Sequence, residues 1–150
     1  MKKETKIKLL KILYLSVIVL FIMYIFSNSL ESKSVSSNKS NEIVVKINTT
    51  LEKINSDVRI TDLFVRKSAH FIEFFTLGVL IFGYNVICKN FYIKNQIYAC
   101  FLCCLIAMTD ETIQYFSKRG SMLLDVWLDL FAATCSIMLL FAIHKIRNKK

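Results

Sequence analysis

Four stretches of this chain, Leu9–Phe26, His70–Ile87, Ile97–Ile113 and Met122–Ile143, are apolar over about one bilayer thickness at ~1.5 Å per helical residue. None shows the repeated ten-residue alternation of a transmembrane β-barrel strand, so each is predicted to be a helix. The polar residues between them are clustered. Asn28–Asn41 is rich in Ser, Asn and Lys and reads as a solvated connector without apolar periodicity. After it, Ile43, Ile47, Leu51, Ile54 and Val58 recur at steps of four or three, with Lys46, Glu52 and Lys53 on other faces. That spacing predicts an amphipathic helix, lying on the membrane surface or packed over the spans. The expected fold is all-α: a small polytopic membrane protein, residues 1–150 as one domain, with a four-helix transmembrane bundle and an additional amphipathic helix in the first external loop.

Composition supports helices, since 55% of the residues are hydrophobic while Pro is absent and Gly occurs only 3 times. A lysine-rich arm followed by an apolar run is also how a cleavable signal peptide begins. Here the run is followed by Ser27-Asn28-Ser29-Leu30-Glu31-Ser32, which lacks a small-residue cleavage site, so the first span is read as retained. The net charge of +9 does not imply nucleic acid, because the basic residues flank the apolar blocks rather than covering one face of a soluble domain. Lys2, Lys3, Lys6, Lys8 and Lys11, then Lys89 and Lys94, then Lys145, Arg147, Lys149 and Lys150 stand in three short segments whose only acid is Glu4. By the positive-inside rule those segments, and with them both termini, face the cytoplasm. The loop after Asn28 and the hinge around Lys118 and Arg119 then face outward. The 5 cysteines lie in or beside apolar segments, and Cys100 and Cys103, despite their C-x-x-C spacing, read as buried thiols.

The stretch Thr109–Leu130 sets Asp110, Glu111, Gln114, Arg119, Asp125 and Asp129 at or inside membrane depth. A charge at a span's centre costs ~2.5–3.5 kcal/mol on insertion scales, so such residues need compensation. Arg66, His70 and Glu73 stand at the start of the second span, and the topology carries all these groups to the same, outer layer. Arg66 and His70, Asp110 and Gln114, and Asp125 and Asp129 are each four apart, so each pair shares a helix face. Carboxylates so placed repel, and Arg119, Arg66, Lys67, a proton or a metal is expected to balance them. The pairing expected is of Asp110, Glu111, Asp125 or Asp129 with Arg66 or Arg119. His144 reads as a solvated flank and Trp127 as an interfacial anchor. The inner halves of the spans carry almost no ionisable group, which excludes a proton or ion path across the membrane.

At these residues the chain resembles a known family. Val65-Arg66-Lys67-Ser68-Ala69-His70-Phe71-Ile72-Glu73-Phe74-Phe75, with Leu77-Gly78, is similar to the first signature of the VanZ-like membrane proteins, RKxAHxxEYxxLG. Thr109-Asp110-Glu111, Gln114, Phe116, Arg119-Gly120-Ser121, Asp125 and Asp129 resemble the second, and Phe26–Ser29 a looser feature after the first span. Phe74 departs from the usual Tyr, and Ala132 and Ser136 stand where small glycines are usual. The resemblance implies a four-helix bacterial membrane protein, some of whose relatives confer low-level glycopeptide resistance.

The site expected from the residues has His70, Glu73, Asp110 and Glu111 as acid, base or ligands of a divalent ion. Arg66, Lys67, Gln114, Arg119, Ser121, Asp125 and Asp129 would bind. Membrane lipids and a lipid-linked cell-wall precursor are the ligand class; nucleic acid is not. The alternative is a non-enzymatic lipid- or partner-binding protein whose intramembrane charges are structural. No motif names a reaction or a cofactor.

Overall fold

Each apolar block becomes a helix that runs past its apolar limits, because the polar flanks continue the same backbone hydrogen bonding. The computed structural model describes residues 2–54, 57–118 and 122–148. Its helices are α1 (Lys2–Leu30), α2 (Lys33–Lys53), α3 (Asp62–Ile87), α4 (Ile93–Phe116) and α5 (Leu123–Arg147), with no strand among the described residues. Of these, α1, α3, α4 and α5 are long and apolar enough to cross a membrane. The chain is a multi-pass membrane protein built as an all-helical bundle.

Two expectations are corrected here. Asn28–Asn41 is not a solvated connector: α1 runs to Leu30 and α2 starts at Lys33. The amphipathic helix also ends earlier than its apolar spacing suggested, with Ile54 as its C-cap and Val58 beyond it. The reason is tertiary, since α2 is clasped to the head of α3. Asn48 donates from Nδ2 to the Ile60 carbonyl at 3.0 Å and accepts the Ile60 N–H on Oδ1 at 2.8 Å. Ser40 Oγ donates to the Asp62 carboxylate. Thr61 caps α3 by accepting the Phe64 N–H at 3.3 Å, with Asp62 in the first turn favouring the helix N-terminus.

The turn out of α3 is closed by a left-handed residue. Lys89, at φ 57°, follows the C-cap Cys88; its N–H reaches the Val86 carbonyl at 3.0 Å, and the Asn90 N–H reaches Asn85 at 2.8 Å. This is the paired bonding of a Schellman motif, with lysine where glycine is usual. Lys118, at φ 55°, holds the same position after α4.

In the core, α3 packs against α1, α2, α4 and α5. Phe74, Leu77, Ala132, Ala133 and Ile137 are wholly buried, and Gly78 packs directly against α5. A Cβ there would overlap Ser136 Oγ and stand 2.7 Å from the Ala133 carbonyl oxygen. Leu13, Leu20, Phe101, Phe131 and Leu139 are exposed, as apolar side chains facing lipid should be, and so is Trp127.

The two ends of the bundle differ. At the end that carries both termini the buried polar groups are neutral amides: Asn85 donates to Gln96 Oε1 at 3.3 Å, and Gln96 Nε2 to the Asn90 carbonyl at 3.1 Å. His144 is not a solvated flank here. Its ring stacks on Phe91 at 4.1 Å between centroids and meets Phe82 edge-on, so it closes the base of the bundle. The buried carboxylates all lie at the opposite end.

Candidate functional site

At that opposite end, the last turn of α1, the first turns of α3 and α5 and the last turns of α4 converge. Asp110 and Gln114, one helical turn apart on α4, face inward together, and Gln114 Nε2 donates to Asp110 Oδ2 at 2.9 Å. Ser29, at the end of α1, donates to Asp110 Oδ1 at 2.6 Å. Asp110 is wholly buried, and so is Asp129, from the second turn of α5. His70 of α3 stands over both, with Nδ1 3.9 Å from Asp110 Oδ2 and 4.0 Å from Asp129 Oδ1. One donor atom from each of the three residues lies within 4.8 Å of the others. Neither carboxylate oxygen of Asp129 has a hydrogen-bond partner among the described residues. A buried, ionisable group left in that state is rare and costly.

Other candidates belong to the frame around this cluster. Glu73 Oε1 accepts from Asn28 Nδ2 at 2.7 Å, which ties α3 to the end of α1. Glu111 Oε2 accepts the Met122 N–H at 3.1 Å and so holds the entry of α5 against α4. Asp125 pairs with Lys67 Nζ at 2.6 Å, rather than with the expected Arg66. Adjacent residues on a helix diverge by ~100°, so Lys67 reaches toward α5 while Arg66 points the other way. Arg119 and Ser121, and with them the expected Arg119 pairing, lie outside the described residues.

Arg66 lines a partly open cavity of about 300 Å³ between the ends of α1 and α3, with α2 forming a third wall. Its other lining residues include Asn28, Ser29, Lys39, Ser40, His70 and Glu73. The Arg66 Nε is buried and has no hydrogen-bond partner among the described residues. On the far side of α3, a shallower apolar groove of about 670 Å³ runs past Leu63, Phe64, Phe71, Ile72 and Leu128, with Lys67 at its edge.

The model of the VanZ/LLP1 family matches residues 11–144. The chain belongs to that family. No curated protein and no solved structure gives a significant match. The VanZ/LLP1 match takes in the second and third spans whole, most of the first and fourth, and every residue of the cavity and the carboxylate cluster.

Sequence reasoning assigned no role to Asn28, Ser29, Lys39 or Ser40, although the first two bond directly to Glu73 and Asp110. The available signal was position: Asn28 and Ser29 belong to Ser27-Asn28-Ser29, the polar cluster that ends an otherwise apolar run.

Proposed function

We propose that this VanZ/LLP1 protein binds the anionic head group of an amphiphile, held in the outer leaflet, between α1, α2 and α3. The observation that carries the reading is Arg66: a guanidinium whose buried Nε has no hydrogen-bond partner among the described residues, on the wall of a 300 Å³ cavity. A guanidinium in a site poor in water calls for a carboxylate or phosphate acceptor, to which it makes short charge-assisted bonds. Lys39, from α2, adds a second cation to the same wall while pairing with Glu31. With α2 as a third wall, the partly open cavity suits a head group that enters sideways from the lipid while its chains remain outside. Lipid-linked cell-wall precursors have this chemistry, and reduced access of lipidated glycopeptides to them is how such binding would yield resistance. The outward orientation rests on the lysine-rich segments at the other end of the bundle.

A second reading has its own support. Glu73, Glu111 and Asp125 are each bonded to a neighbouring element, which makes them braces of the bundle rather than reacting groups. On this reading the protein binds without turnover. Native mass spectrometry of the chain purified from its own membrane tests the proposal. An anionic lipid is expected to stay bound to the wild type and to fall at least about tenfold in Arg66→Gln. Equal retention by the two would sink it.

A further inference from the structure

We propose that His70, Asp110 and Asp129 bind one divalent cation of the first transition row, manganese or zinc, at the head of the bundle. Three helices each supply one donor, and those atoms lie within 4.8 Å of one another. Ligands of one four-coordinate zinc at ~2.1 Å stand roughly 3.4 Å apart, so the 3.9 and 4.0 Å contacts of His70 must close by about half an ångström, and the donors, all within 4.8 Å of one another, by no more than about 1.4 Å. An imidazole with two carboxylates suits manganese and zinc better than calcium, whose sites are built from oxygen alone.

The second observation is Asp129. It is wholly buried, both its oxygens lack a hydrogen-bond partner among the described residues, and one of them faces His70. An ionised carboxylate in that setting requires a cation. Lys67, one turn before His70 on α3, is already paired with Asp125. With a neutral imidazole, the two aspartates carry the charge that a divalent ion cancels. Asp110 has the support usual for a metal ligand, since Ser29 and Gln114 fix its orientation from outside the cluster. His70 also lines the 300 Å³ cavity, which provides a path of entry and leaves an open side at the ion. Glu73, Glu111 and Asp125 are held elsewhere by Asn28, Met122 and Lys67, which separates this trio from the wider set of acids.

The proposal does not rest on head-group binding: lipid retention and metal binding are read separately, and either can fail alone. The full chain, purified in detergent and stripped with a chelator, is titrated with Mn²⁺ and, separately, with Zn²⁺. Roughly one equivalent of Mn²⁺ is expected to bind, with spin-echo modulation from one imidazole nitrogen. The chain has only 2 histidines, so the assignment is direct. The modulation should persist in His144→Gln and vanish in His70→Gln, and affinity should fall by about a hundredfold in Asp129→Asn. If Asp129→Asn does not fold, the two histidine variants decide the matter. Failure of the wild type to hold either ion, modulation that survives in His70→Gln, or wild-type affinity in folded Asp129→Asn would overturn it.

Discussion

Ser29 and Asp110 are 81 positions apart, yet the serine hydroxyl donates to the aspartate at 2.6 Å and joins the end of α1 to α4. Interhelical side-chain bonds in membranes average only ~0.6 kcal/mol. This one serves a wholly buried carboxylate, where an acceptor left short of a donor costs more, about 1–3 kcal/mol. Ser29→Ala is therefore expected to lower stability by about 1–2 kcal/mol, read from denaturant unfolding in micelles. A change below ~0.5 kcal/mol would mean that the bond is dispensable.

Gly78→Ala tests the α3–α5 seam. Alanine improves helix propensity by ~1 kcal/mol, but its methyl would overlap Ser136 Oγ and press on the Ala133 carbonyl at 2.7 Å. A backbone carbonyl cannot rotate away, so the helices must part, at a cost of ~1–3 kcal/mol or more. The variant should unfold earlier on heating, and adding Ser136→Gly should restore only part of the loss. Full rescue would show that the backbone contact yields.

Lys89 holds a left-handed conformation, at φ 57°, that costs an L-residue with a Cβ ~1–2 kcal/mol and glycine nothing. Lys89→Gly keeps both Schellman bonds and should raise the melting temperature, by the equivalent of about 0.5–1 kcal/mol. A lower melting temperature would show that the lysine side chain contributes something the turn does not.

Orientation is checked by chemistry at the two ends. In a chain with its native cysteines replaced, Lys118→Cys should react with an impermeant maleimide on intact cells. Asn148→Cys should react only after the membrane is opened. The reverse pattern would turn the protein over and place the cavity in the inner leaflet.

Much of this arrangement was legible because two of its causes are local. Length and apolarity name a span, and a four-residue interval puts Asp110 beside Gln114, as the 2.9 Å bond between them confirms. What was not legible depends on the neighbour across the gap. Arg66 and Lys67 are adjacent and alike in charge, and only the position of α5 decides that Lys67 takes Asp125. Ser36, Lys39 and Ser40 read as a solvated linker because polar composition in water means coil. Here the same residues line a cavity from a helix clasped to α3 through Asn48. His144 was misread for a similar reason: its neighbours in sequence are lysines and its neighbours in space are Phe91 and Phe82.

The uneven apolarity of the spans bears on the order in which they are made. α1 emerges first and is the most apolar of the four, and α4 is the least, carrying Asp110 and Glu111 in its final turns. α1 can thus wait alone in lipid, its Asn28 and Ser29 at the wet boundary with their bonds unmade. α4 is less self-sufficient, because Asp110 takes one donor from Gln114 on α4 and the other from Ser29 on α1. Chain order thus places the hydroxyl that Asp110 needs on a span that precedes it, so removal of α1 is expected to weaken the insertion of α4.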